Sequence, residues 1–307
     1  MTLAHGTLGL VINTVLLALV SSLSYGVSDF LGAVGARRLR VLPGTTITYM
    51  FAFATVLLAL PIVGGAWSFE PIVWGAIAGI AAIGGFITFY AALAAGPINL
   101  AAPLIAVLGA LVPVTIAIVL GEQLKVLAWV AIVLALIGAG LISVTRRGAP
   151  RAIPIKTLVT SVISGTMLGL SIAALDQAPT ESGVTAAVVE IAVGVVLLGV
   201  LVLLSRYSGV ARRTLSVLDE EHDLQRLPTV TRARLASASG GILLGVGNAL
   251  LLAALQSGSL AVVSVLIGLY PVATMVLARI VHGERLNRVQ LAGVALAIAA
   301  TVLLALA

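Results

Sequence analysis

Polar residues are sparse along this chain and fall in clusters, and between the clusters run apolar stretches of roughly twenty residues. Such stretches cover residues 9–35, 44–64, 71–95, 98–120 and 126–145, and then 157–177, 183–205, 233–256, 259–282 and 289–306. A helix needs roughly 20 predominantly apolar residues to cross the bilayer, where every backbone amide must be paired within the protein. The pattern therefore predicts an all-α integral membrane protein of ten transmembrane helices. Connections are short except at 207–232, which carries Arg212, Arg213, Asp219, Glu220, Glu221, His222 and Asp223. That segment reads as a solvated loop with room for a short interfacial helix.

Composition sharpens this picture. Hydrophobic residues make up 61% of the 307 and charged residues only 9%, against about 25% charged in a soluble domain. A water-facing surface this apolar would aggregate, whereas lipid accommodates it. The chain has no cysteine, which excludes disulfides, thiol catalysis and cysteine-ligated metal. There is no phosphate-binding loop, nucleotide-binding glycine fingerprint or zinc motif, and the acidic run 219–223 lacks ligand spacing. No metal or other cofactor is expected. His5, His222 and His282 all lie at or near span ends, so no convergent catalytic set points to an enzyme. The N-terminus lacks the charged start and small-residue cleavage site of a removable signal, so the first stretch reads as a retained span.

Ten spans suggest two sets of five, and the sequence repeats accordingly. Moving residues 75–141 forward onto 237–303 without a gap brings Gly79 onto Gly241, Gly85 onto Gly247 and Gly96 onto Gly258. The same register brings Ala91-Ala92-Leu93 onto Ala253-Ala254-Leu255, and Gly121-Glu122 onto Gly283-Glu284. Residues 1–148 and 149–307 are therefore expected to be two five-helix repeats. With an odd number of spans each, the second enters the membrane from the opposite side, giving inverted halves as in many secondary transporters.

The net charge of +6 would suggest a nucleic-acid partner in a soluble protein. Here the arginines sit in short loops, so no nucleic-acid partner is expected. If loops alternate sides, one side holds every lysine and arginine of the chain except Lys125. The positive-inside rule then puts loops 1–2, 5–6, 7–8 and 9–10 in the cytoplasm and both termini outside.

The repeat, together with "LIAVLGALVPVTIAIVLGEQL" and "VVSVLIGLYPVATMVLARIVHGERL" closing each fourth helix, resembles the EamA-like ten-helix permeases of the drug/metabolite transporter superfamily. In the first copy Gly109 stands where the second has Pro271, and Pro113 lies one turn later. The resemblance implies a secondary active transporter of the plasma membrane. It would be an exporter of small metabolites such as amino acids or drug-like compounds, by alternating access. Many members are thought to keep their termini in the cytoplasm, against the charge count of this chain. A non-transporting membrane accessory subunit is the alternative. Partners are then the lipid bilayer, a small-molecule substrate and, as a coupling ion, protons.

Ionisable groups within a bilayer tend to mark pathways or relays. Glu190, about two turns into the seventh span, reads as a proton-coupling or cation-binding site, or as an acid hydrogen-bonded to a neighbouring helix. Asp29, two turns before Arg37, could bind an amino group or form an interfacial ion pair with Arg37 or Arg38. Tyr25, Tyr90, Asn248 and Tyr270 are the uncharged polar candidates for lining a cavity, the alternative for the tyrosines being interfacial anchoring. Tyr270 precedes Pro271, which frees a backbone carbonyl. At Gly121-Glu122 and Gly283-Glu284, glycine is expected to end a helix and glutamate to sit near the positive end of the next.

Overall fold

The computed structural model describes residues 2–95, 98–143, 154–209, 229–282 and 287–306. Helices account for nearly all of them. In chain order they are α1 (Thr2–Leu39), α2 (Val41–Val63), α3 (Phe69–Ala95), α4 (Ile98–Val119), α5 (Val126–Ser143) and α6 (Ile155–Asp176). After a single 3₁₀ turn come α7 (Thr185–Tyr207), α8 (Val230–Ser257), α9 (Leu260–Ile267), α10 (Tyr270–His282) and α11 (Arg288–Leu306). Six of these carry stretches long and apolar enough to cross a membrane: Val11–Ala36, Val41–Val63, Phe69–Phe89, Ile155–Asp176, Thr185–Tyr207 and Val230–Ser257. Shorter apolar stretches run through Leu104–Val119, Val126–Leu141, Leu260–Thr274 and Arg288–Leu304. The chain is a multi-pass membrane protein.

Its side chains are distributed for lipid. Large apolar residues such as Leu58, Ile62, Phe69 and Val126 stand on the outside, while the interior is crowded with alanine, glycine and serine. Between lipid-immersed helices there is little hydrophobic drive to associate. Close backbone approach and cross-helix hydroxyl bonds supply the adhesion instead, and both need small residues at the contacts.

These contacts are reciprocal between the halves. α1 packs along α8, as α6 packs along α3; α2 lies on α8, as α7 lies on α3. α1 touches α9 and α10, as α6 touches α4, and α5 faces α11. Exchanging the first five helices for the remainder leaves this scheme unchanged. The correspondence reaches single bonds. Ser21 Oγ donates to the Gly247 carbonyl at 2.6 Å and Ser164 Oγ to the Gly85 carbonyl at 2.9 Å, and Gly85 and Gly247 are a matched pair of the repeat. The matched pair Gly79 and Gly241 behaves alike. Gly79 rests on the Glu190 carbonyl and Val193 of α7, and Gly241 on the Thr48 carbonyl and Phe51 of α2.

Two connections differ from the sequence expectation. A loop is expected between residues 35 and 44, yet only Arg40, at φ 70°, separates α1 from α2. Pro43 does not hold the helix back, because the first turn has no internal acceptor for its missing N–H. The stretch 259–282 is two helices, not one. Gly268 and Leu269 close α9 with bonds from their amides to Ser264 and Leu266 carbonyls at 2.9 and 3.2 Å. Pro271 cannot donate to the carbonyl of Ile267, and Ser22 Oγ of α1 does so instead at 3.4 Å.

At the end of α4, Gly121 takes φ 96°. Its amide bonds to the Ile118 carbonyl at 3.0 Å and that of Glu122 to Ala117 at 2.9 Å, the paired closure for which a left-handed glycine is suited. The Glu122 carboxylate serves a different helix from the one expected. It accepts from Ser259 Oγ at 2.6 Å and the Leu260 amide at 2.9 Å, so it caps α9 in the other half, not α5. Gly283 and Glu284 lie outside the described residues, as does the acidic run within 207–232.

Candidate functional site

Glu190 is the centre of a polar cluster where both halves meet. It lies on α7 with 6% of its surface exposed. Oε2 accepts from Asn248 Nδ2 of α8 at 2.8 Å, and Oε1 from Ser171 Oγ of α6 at 3.3 Å. The three helices barely touch one another, each packing mainly against the first half. The carboxyl group thus bridges elements held apart by the rest of the bundle. Gly79 permits its placement: a Cβ there would lie 2.6 Å from the Glu190 backbone oxygen, so only glycine lets α3 seat against α7 at this level.

The first half supplies the neighbouring aromatic and acidic groups. Tyr25 of α1 stands within Coulombic reach of Glu190, of Asp29 and of Tyr49 on α2, and Tyr49 in turn of Glu190 and Asp29. Both phenols are half-buried and Asp29 is exposed. Asn248 is 2% exposed, and its Oδ1 is among the few buried polar side-chain atoms with no partner.

Of the residues singled out from sequence, the fold brings together Tyr25, Asp29, Glu190 and Asn248. Tyr270 is placed next to them through its backbone, whose carbonyl lies against Gly26, while Thr274 Oγ1 donates to the Gly26 carbonyl at 2.9 Å. The side chains of Tyr90 and of Arg37, the expected partner of Asp29, lie outside the described ones. Tyr49 is a cluster member that sequence reasoning missed. The available signal was a lone tyrosine about two turns inside a span otherwise lined by apolar and hydroxyl residues. Grooves of about 430 Å³ between α2, α3 and α7, and about 400 Å³ between α2 and α8, open on the outer surface; neither is lined by a cluster residue.

Among the described residues no group of histidine, aspartate and glutamate could hold a metal ion. The arrangement can instead accept hydrogen bonds and bind positive charge, with aromatic surface beside it.

The model of the EamA-like transporter family matches the chain twice, over residues 12–144 and 155–306. A solved crystal structure superposes with a TM-score of 0.72 at 18% identity, covering 94% of this chain and 97% of the other, a likeness of fold. No curated protein matches.

Proposed function

Because the chain belongs to the EamA-like transporter family, we propose that it is a secondary active transporter, working as an exporter of small metabolites such as amino acids or drug-like compounds across the plasma membrane. The observation that carries this reading is the cluster of Tyr25, Asp29, Glu190 and Asn248, contributed by both halves. Acids within a membrane bundle are costly, and they are retained where a pathway needs them.

On this reading all ten apolar stretches cross the bilayer. α4 has 22 residues, α5 has 18 and α11 has 19. At about 1.5 Å per residue each rises roughly 27–33 Å, close to the hydrocarbon thickness of about 30 Å. α9 and α10 together make the remaining short crossing. Five crossings per half make the halves inverted, and the reciprocal packing is what a two-fold axis in the membrane plane would produce. Contacts between described elements support the alternation. Thr14 Oγ1 donates to the Ser257 carbonyl, Gln256 to Gly183, the Val184 amide to Gly64 and Ser259 to Glu122. One face therefore gathers the first turn of the Val11–Ala36 stretch of α1 with the 2–3, 4–5, 6–7 and 8–9 connections. The arginine-bearing connections belong to the other face, which the positive-inside rule makes cytoplasmic. Rocking of one half against the other opens the cluster alternately to either face, and Glu190 is the group that takes up and releases the coupling proton.

The test is efflux from proteoliposomes loaded with a mixture of amino acids, organic amines and neutral drug-like compounds, with an inward proton gradient imposed and the released solutes identified by mass spectrometry. At least one solute is expected to leave several-fold faster than from protein-free liposomes. Release at the protein-free rate for every solute would favour the accessory-subunit reading.

A further inference from the structure

We infer that the solute carried by this central site is an organic cation: a primary or secondary amine with an aromatic or similarly flat apolar body. The inference rests on the carrier reading and narrows it to one chemical class.

Three independent features of the cluster converge on positive charge. The first is its charge balance. Glu190 on α7 is held by two neutral partners, Asn248 and Ser171, within Coulombic reach of Tyr25 and Tyr49. A buried carboxylate bonded to neutral groups alone is costly. A bound ammonium group supplies the missing charge.

The second feature is an orphaned acceptor. Asn248 spends its amide nitrogen on Glu190, while its Oδ1 is buried and has no partner. Buried polar atoms without a partner are rare and costly. Because Nδ2 is held on the Glu190 carboxylate, Oδ1 of the same planar amide lies beside that carboxylate. The pair presents adjacent acceptors beside the one N–H left on Nδ2, and the carboxylate repels an anion. A hydroxyl solute could donate to one of them, and a carboxylate solute to neither. An ammonium group donates to both and also neutralises the acid.

The third feature is the aromatic flank. Tyr25 and Tyr49, one from each of the first two helices, stand within reach of the acid. Ring faces attract cations, most strongly where water is excluded. The half-buried state of both phenols leaves ring surface to receive the body of the solute.

A matched set of probes of one shape and three charges provides the test: 2-phenylethylamine, 2-phenylethanol and phenylacetate, each added to the detergent-purified full chain at neutral pH. A ligand that binds only the folded state raises its melting temperature by mass action. The amine is expected to raise the melting temperature and the alcohol and the acid to leave it unchanged. The preference for amine over alcohol is expected to fall at least tenfold in Glu190→Gln and in Asn248→Ala, and to survive in Gly199→Ala, a change remote from the cluster. The amine-to-alcohol ratio is the deciding quantity, since a merely destabilised protein shifts for neither or both. Equal shifts from amine and alcohol overturn the charge assignment but keep a small-molecule site, and with it the carrier reading. A preference for the amine that persists in both cluster variants overturns the assignment to this site. No shift from any probe overturns the cation inference as well. The carrier reading then stands or falls separately, on whether water reaches a cysteine placed at position 25.

Discussion

Glu190→Leu is expected to abolish transport and lower the melting temperature, whereas Glu190→Gln is expected to fold normally and to transport without responding to the proton gradient. The two variants separate what the carboxyl group does for the structure from what it does for the solute. Leucine removes both acceptors. The Asn248 amide is then buried with neither end bonded, at a cost of about 1–3 kcal/mol for each stranded group. Ser171 loses less, because its hydroxyl can turn to a carbonyl of its own helix. Glutamine keeps the volume and one acceptor for Asn248 Nδ2, so its effect on stability is about 1 kcal/mol or less. It cannot bind or release a proton. The titratable groups within Coulombic reach of Glu190 are Tyr25 from α1 and Tyr49 from α2, and both of these also reach Asp29 of α1. Of these only Asp29 could replace Glu190 as a relay, and it is the exposed one. Efflux measured with and without the gradient, alongside a thermal melt, distinguishes the cases. Undiminished proton-driven efflux in Glu190→Gln would move the coupling site to Asp29.

Gly241→Leu is the substitution expected to damage the fold most, with Gly79→Leu close behind. Both glycines sit where helices of different halves approach backbone to backbone. A Cβ at Gly241 would lie 2.7 Å from the Phe51 Cβ and nearer still to the Thr48 carbonyl, and one at Gly79 would lie 2.9 Å from the Val193 Cβ. These are main-chain atoms and first side-chain carbons, which no rotamer change can move. The helices must separate, and the serine-to-carbonyl bonds alongside weaken with them. Overpacking a well-fitted contact costs about 1–3 kcal/mol, and here about 3 kcal/mol or more is expected because backbone is struck. Gly199 is the internal control. It lies in α7 with nothing within 4 Å of its position, so Gly199→Ala is expected to leave stability unchanged or raise it by up to about 1 kcal/mol, the helix propensity difference. Melting temperatures in one detergent provide the comparison. A Gly241→Leu protein as stable as Gly199→Ala would contradict the packing described.

Much of this was legible before any coordinates. Apolar length alone located most helices, as with 98–120 against Ile98–Val119 and 71–95 against Phe69–Ala95. The glycine matches of the repeat carried more than arithmetic, since Gly79 with Gly241 and Gly85 with Gly247 occupy equivalent packing positions. What stayed hidden was hidden for physical reasons. Glu122 follows a helix-ending glycine, which suggests a local role, but its partner Ser259 lies in the other half, and only tertiary structure brings the two together. The break at Gly268 was signalled by Pro271, but its consequence, Ser22 taking the freed carbonyl, depends on a helix far away in sequence. Serines and threonines within spans are too common to flag individually, yet they make the bonds that join the halves. Tyr49 escaped notice because a tyrosine in a span so often anchors at the interface. Its place near Glu190 follows from how α2 sits against α7, where Gly194 makes room for its ring.

The measurement that bears most directly on the central claim, a solute site reached alternately from the two sides, exploits the absence of cysteine in the chain. A Tyr25→Cys protein is placed in right-side-out and inside-out membrane vesicles, and each preparation is treated with a membrane-impermeant maleimide. Labelling from both sides is expected, because position 25 lies in the middle of α1 beside the cluster and is exposed in turn to each face. Labelling from neither side would mean a sealed interface between the halves and would contradict that claim.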